Sequence, residues 1–135
     1  MKTVLMWGRY GNYGPDYPRN RVIESVMREL GCEVARFLPS LSALADIEFS
    51  LRHLVAPDVV WVPCFRQRDL PAAVRYGRRH DIPVVFDPLI SAYDKQVNER
   101  RKFAPDSLRG RRLLVQERRL FQSADILIAD TQGHA

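Results

Sequence analysis

Three glycines, Gly8, Gly11 and Gly14, punctuate the loop that follows the first apolar run of the chain, Thr3–Trp7. Lacking a Cβ, they let backbone amides approach a ligand that side chains would hold off. A helix starting near Asn20 or Arg21 would point the positive end of its dipole at the same place. Such a loop can cradle an anionic group, and Gly11, Asn12, Tyr13 and Gly14 are its candidate contacts. The plainer alternative is a loop of turn-forming glycines. The spacing is G-x-x-G-x-x-G, not the dinucleotide fingerprint G-x-G-x-x-G, and no Gly-Lys-Ser/Thr of a P-loop follows. The second strand ends in Phe37-Leu38-Pro39, with no acid to hold a ribose. A nicotinamide or flavin cofactor is therefore disfavoured.

Two acids stand out. Asp87 closes the fourth apolar run and precedes Pro88. A carboxylate at a strand end faces the crevice where open parallel sheets bind ligands. It reads as a general base or ligand contact, or else as a turn former, and base chemistry would need a raised pKa. Glu117 falls in the middle of an apolar helix face formed by Leu113, Leu114, Leu120, Phe121 and Ala124. A charge facing the core must be paired, so Glu117 reads as a structural buried acid rather than a catalytic one. No D-x-D is present, His53, His80 and His134 are isolated in sequence, and no Ser-His-Asp spacing is convincing. No metal site is expected.

The elements that position these residues alternate between strand and helix. Strands are expected at Thr3–Trp7, Glu33–Leu38, Asp58–Val62, Ile82–Phe86 and Asp125–Ala129. Helices are expected at Arg21–Leu30, with Val22, Ile23, Val26, Met27 and Leu30 as its apolar stripe, and, more weakly, at Leu41–Val55, with Ile47, Leu51, Leu54 and Val55 on one side. Two more are expected from Asp69 to about Arg79, with Asp69 as cap, and at Ser107–Ser123. The class is α/β: an open, doubly wound, Rossmann-like parallel sheet of about five strands, with expected order 3-2-1-4-5. In that order the loops 8–18 and 87–93 flank one crevice. Arg21, Ser91, Tyr93, Asp94, Thr131 and His134 join it as candidate acceptor-side residues.

The chain has 135 residues, enough for one domain with a substantial core. It is 46% hydrophobic and 27% charged, with no apolar run of membrane-spanning length and no visible signal peptide. Two cysteines, Cys32 and Cys64, make neither a disulfide framework nor a zinc site and suit a reducing cytoplasm. The net charge is +5, and residues 95–119 hold nine Lys/Arg against three acids. That local surplus exceeds the net charge of the whole chain, so the basicity belongs to one region. Arg100, Arg101, Lys102, Arg109, Arg111, Arg112 and Arg119 form a candidate patch for an anionic surface, a membrane among them, or a solvated basic face.

The segment Glu117-x6-Ala124-Asp125, its strand, and Asp130-Thr131 resemble the end of the N-terminal domain of family 4 glycosyltransferases of the GT-B fold. The opening, with Asp16-Tyr-Pro-Arg-Asn-Arg21 at a helix start, is similar to bacterial members. The resemblance implies retaining transfer from a nucleotide-diphosphate sugar across a cleft between two Rossmann-like domains. The N-terminal domain would mainly bind the acceptor, and a C-terminal domain would hold the nucleotide and carry Glu-x7-Glu. No such second domain is in this sequence, so residues 1–135 are expected to be the acceptor-side domain alone, inactive in isolation. Carried over by position, the Gly11–Gly14 loop would near the donor phosphates. Asp87 stands where members place a His or Asp near the reacting centre, although here the pair is Asp-Pro.

The expected function is thus the acceptor-binding half of a metal-independent, hexosyltransferase-like enzyme extending a glycan or glycolipid. Its partners would be a nucleotide-sugar donor, a glycan or lipid-linked acceptor and the missing domain, with no nucleic acid. Its expected place is the cytoplasm, with peripheral attachment to the inner face of the cell membrane through the basic patch. The alternative is a non-catalytic basic α/β module that binds a nucleotide, nucleic acid or an anionic surface.

Overall fold

The computed structural model describes residues 2–8, 18–64, 66–87 and 107–128. Within them, β1 (Thr3–Trp7) leads to α1 (Pro18–Glu29), then β2 (Glu33–Phe37) and α2 (Ala45–Leu51). There follow β3 (Val59–Val62), α3 (Leu70–His80), β4 (Val84–Phe86), α4 (Leu108–Ser123) and β5 (Ile126–Leu127). The five strands form one parallel sheet in the order β2-β1-β3-β4-β5. The fold class is the expected one.

The strand order departs from 3-2-1-4-5 at one place: β3 sits between β1 and β4. The reason is burial. Val60 and Val62 are fully buried in the centre, whereas β2, with Glu33 and Arg36, exposes three of its five residues. An edge position suits β2 and would have wasted the apolar run of β3. Winding therefore reverses between β1 and β3. The segment Pro63–Cys64 thus adjoins the end of β1; of the expected flank 87–93, only Asp87 lies among the described residues.

Alternation divides the sheet into two faces. Leu5, Trp7, Phe37, Val60, Val62, Val84 and Phe86 pack against Ala45 and Phe49 of α2 and against Leu70, Ala73 and Tyr76 of α3. Trp7 is the hub, with ring centroids 4.8 Å from Phe37, 5.6 Å from Phe49 and 5.4 Å from Tyr76. Leu120, Phe121 and Ala124 extend the core under α4. Close approach at α3 depends on Gly77: a Cβ there would lie 2.6 Å from the Ile82 carbonyl oxygen and 2.6 Å from the Val84 side chain. Right-handed crossovers put α2, α3 and α4 on this face and α1 on the other.

Helix α1 does not bury its expected stripe. Val22 is 61% exposed and Val26 46%, while Asn20 and Glu24, at i and i+4, face inward. Glu24 is held by Arg36 of β2 through three hydrogen bonds. Both edges of the α1 footprint are therefore polar. The helix ends where expected. Gly31 adopts a left-handed φ of 87°, the Cys32 amide donates to Met27 and the Gly31 amide to Arg28, the paired bonds of a Schellman cap.

Helix α2 is shorter than the expected Leu41–Val55 and turned over. It buries Ala45, Asp46 and Phe49, and leaves Ile47, Leu51, Leu54 and Val55 exposed. Asp46 is fixed from α3 by Arg75, which reaches both of its oxygens and the Ala43 carbonyl. Burial raises the Asp46 pKa, but the Arg75 pair outweighs it and holds the carboxyl below its usual range. Asp69 does not cap α3 with its side chain; it accepts from Arg66 instead. Ser107 does cap α4, accepting from the Gly110 amide over 3.1 Å.

Candidate functional site

At the carboxyl ends of the strands the backbone ladders run one residue past the sheet. The Gly8 amide donates to the Phe37 carbonyl over 3.1 Å, and the Asp87 amide donates to that of Val62 over 3.1 Å. Phe86 points into the core, so alternation sends Asp87 to the α1 side. There its carboxylate, fully buried, receives both arms of the Arg19 guanidinium. Nε donates to Oδ2 and Nη2 to Oδ1, each over 2.8 Å. This fork is the strong, orientation-fixing form of the pair. Arg19 is a quarter exposed and lies in the first turn of α1.

Cys64, at the end of β3, joins the same turn. Its fully buried thiol donates to Oδ1 of Asn20 over 3.4 Å. Burial pushes the thiol pKa up to about 11; the nearby Asp87 charge adds to the rise and Arg19 opposes it. Cys64 is thus a protonated donor at neutral pH and not a nucleophile. Asn20 is fully buried as well, and its Nδ2 has no hydrogen-bond partner among the described residues. The first turn of α1 is therefore tied to β3 through Asn20–Cys64 and to β4 through Arg19–Asp87. It offers one guanidinium and one amide donor beside the switch point, at the end of the helix where the dipole favours an anion.

Of the residues singled out from sequence, Asp87 reaches this crevice, but with both oxygens engaged by Arg19. Service as a base would first require that pair to break. Arg21 is exposed on the first turn of α1. Glu117 is buried at 7% exposure on the inner side of α4. Arg109, Arg111, Arg112 and Arg119 are exposed on α4. Gly11, Asn12, Tyr13, Gly14, Ser91, Tyr93, Asp94, Arg100, Arg101, Lys102, Thr131 and His134 lie outside the described residues.

Sequence reasoning missed Arg19, Asn20 and Cys64. The i, i+4 pair Asn20–Glu24 was the available signal, because two polar residues in helical register can mark an inward polar row. The apolar residues beside them masked it.

A solved structure with a similar fold is the L780 UDP-rhamnose synthase of Acanthamoeba polyphaga mimivirus. It superposes with a TM-score of 0.54 at 11% identity, over 94% of this chain and 54% of that one. The chain thus spans about half the length of that structure, and the likeness is one of fold. No curated protein matches the sequence with significance. The family model of the glycosyl transferase 4-like domain matches residues 4–135. It takes in every described element, including the strand ends and the first turn of α1 that form the crevice. The chain belongs to the glycosyl transferase 4-like domain family.

Proposed function

We propose that this glycosyltransferase domain is the acceptor-side wall of a two-domain, retaining enzyme that moves a hexose from a nucleotide-diphosphate sugar to a glycan or glycolipid. The observation that carries the reading is the crevice at the β1–β3 switch point, inside the family match. In such a transfer the departing diphosphate develops charge, and stabilising that charge is the largest electrostatic task. The first turn of α1 is suited to share in it, with Arg19 as cation, Asn20 as amide donor and the helix dipole behind both. Asp87 is then a positioning residue that fixes the Arg19 fork, and the Gly11–Gly14 segment adds backbone amides. The chemistry needs no metal from this domain.

The test is a titration of the 15N-labelled chain with UDP-glucose, GDP-mannose and UDP alone. Weak binding should shift the amides of Arg19–Arg21 and Asp87 most. Shifts confined to α3 and α4, or steeply salt-dependent binding indifferent to nucleotide sugars, would favour a non-catalytic anion-binding module instead. As a further part of the proposal, the outward side of α4, where Leu108 and Val115 are exposed among arginines, would rest on an anionic membrane.

A further inference from the structure

The two parallel helices α3 and α4 enclose a groove on the face of the sheet opposite to α1. Its lining includes Pro71, Val74, Arg75 and Arg78 on one wall, and Gln116, Arg119, Leu120 and Ser123 on the other, around a volume of 360 Å³. A second hollow of 440 Å³ shares Gln116 and Arg119 and adds Arg111, Arg112 and Val115. Three arginines, Arg75, Arg78 and Arg119, line the groove between the helices. Arg111 and Arg112 line only the second hollow, which lies along α4 alone, and neither hollow has an acid in its lining.

The spacing is regular on both helices. Pro71, Arg75 and Arg78 stand at i, i+4 and i+7 on α3; Arg112, Gln116 and Arg119 do the same on α4. Each helix thus turns one guanidinium-bearing row into the shared space. Arg75 is anchored by Asp46, so the α3 wall holds its charge in place. The Ser123 hydroxyl already donates to the Leu120 carbonyl, which leaves the Gln116 amide as the neutral donor.

Stability accounts for Arg75, which is paired with Asp46, but not for the arginines of α4. Arg78 lies in the last turn of α3, where the helix dipole welcomes a cation. Arg111 and Arg112 lie at the opposite end of α4, at its first turn, where the dipole repels a cation and, among the described residues, no acid of that turn offsets them. Like charges gathered in a concave space also repel one another. A bound anion reverses the sign of both costs.

We infer that the α3–α4 groove is a binding site for a phosphate or diphosphate group of a soluble ligand, separate from the crevice at the strand ends. Guanidiniums on facing walls suit the tetrahedral oxyanion, which accepts forked hydrogen bonds from two sides. Pro71, Val74 and Leu120 form an apolar floor able to take the uncharged part of the ligand. The groove extends toward Arg78 and Ser123, at the ends of α3 and α4 that lead into β4 and β5. It therefore descends away from the crevice, and occupancy there does not require the donor reading to hold.

The experiment is isothermal titration of the chain with inorganic pyrophosphate at low and moderate salt, repeated on three charge variants. Arg78→Gln/Arg119→Gln should weaken binding by about tenfold or more, as loss of charge-assisted contacts does. Arg118→Gln removes a charge from α4 outside the groove lining and should leave the affinity within about twofold if the effect is local. Arg119→Lys keeps the charge without the fork and should fall between the two. Far-UV circular dichroism establishes that each variant is folded. Equal weakening by Arg118→Gln and by the Arg78→Gln/Arg119→Gln double variant would reduce the groove to diffuse basicity and overturn the site. Absence of saturable pyrophosphate binding, with sedimentation only on phosphatidylglycerol vesicles, would overturn it too and leave the membrane reading of α4 standing.

Discussion

Arg19 and Asp87 are sixty-eight positions apart and make the defining contact of the crevice. The carboxylate is fully buried, so removing its charge leaves a guanidinium without its fork. Asp87→Asn should lower stability by about 1–3 kcal/mol, moderated because Arg19 retains some access to water. Arg19→Lys should cost less, because an ammonium keeps the charge while losing the second arm. Urea denaturation decides both, and a loss within about 0.5 kcal/mol for Asp87→Asn would mean that the pair is not formed in solution. Cys64 gives a pH signature. Its folded-state pKa is raised from 9.0 to about 11, so the thiol form is favoured by folding. That contribution is complete below about pH 9 and lost as pH rises through about 11, since the unfolded chain releases the proton first. Stability should therefore fall over this window, and Cys64→Ser should flatten part of the slope. Tyr76, whose pKa burial also raises, contributes in the same direction and remains in both proteins. Identical slopes for wild type and Cys64→Ser would exclude the thiol as a contributor.

Helix α1 shows how an element can be correct in place and rotated in face: Ile23 and Met27 of the expected stripe are half-buried, beside Asn20 and Glu24, while Val22 and Val26 are exposed. Its position between β1 and β2 and its Gly31 terminus follow from local signals, although it starts at Pro18, ahead of the expected Asn20 or Arg21. Its orientation follows from two polar anchors, Glu24–Arg36 on one side and Arg19–Asp87 on the other. With the helix set in this phase, Glu24 is buried, and its pairing with the partly exposed Arg36 makes that burial tolerable. The prediction at this scale is a contrast. Glu24→Ala should destabilise the chain by about 1–3 kcal/mol. Val22→Ala and Val26→Ala should stay within about 0.5 kcal/mol, as exposed substitutions do. Chemical denaturation of the three variants checks it, and a large loss at Val26 would restore the apolar stripe as the buried face.

For the whole molecule, the five-stranded parallel sheet places its crevice at one end and its arginine groove on one flank. The proposed two-domain cleft needs a wall opposite the strand ends to hold the nucleotide. The 135-residue chain should fold cooperatively and show no sugar transfer from UDP- or GDP-linked hexoses, by a radiolabel assay with glycan and glycolipid acceptors. Robust transfer by this chain alone would overturn the proposal that it supplies only the acceptor side. Among the described residues, no helix is long and apolar enough to cross a membrane.

Sequence by itself determined the α/β class, the parallel sheet, the approximate strand and helix positions, the Gly31 terminus and the inward place of Glu117. These depend on interactions a few residues long: hydrophobic period, turn chemistry and capping. It also carried the family, through the pattern around Glu117 and Ala124-Asp125. Tertiary structure decided the strand order, because Val60 and Val62 of β3 are fully buried in the centre and Glu33–Phe37 tolerates the edge. It decided which faces of α1 and α2 turn inward, where Arg36, Arg75 and Asp87 supply ionic partners that hydrophobic periodicity does not register. It also changed the chemistry of Asp87. An acid at a strand end reads as available until a guanidinium from another element occupies both oxygens, and that partnership exists only once the fold has brought the first turn of α1 within reach of the end of β4.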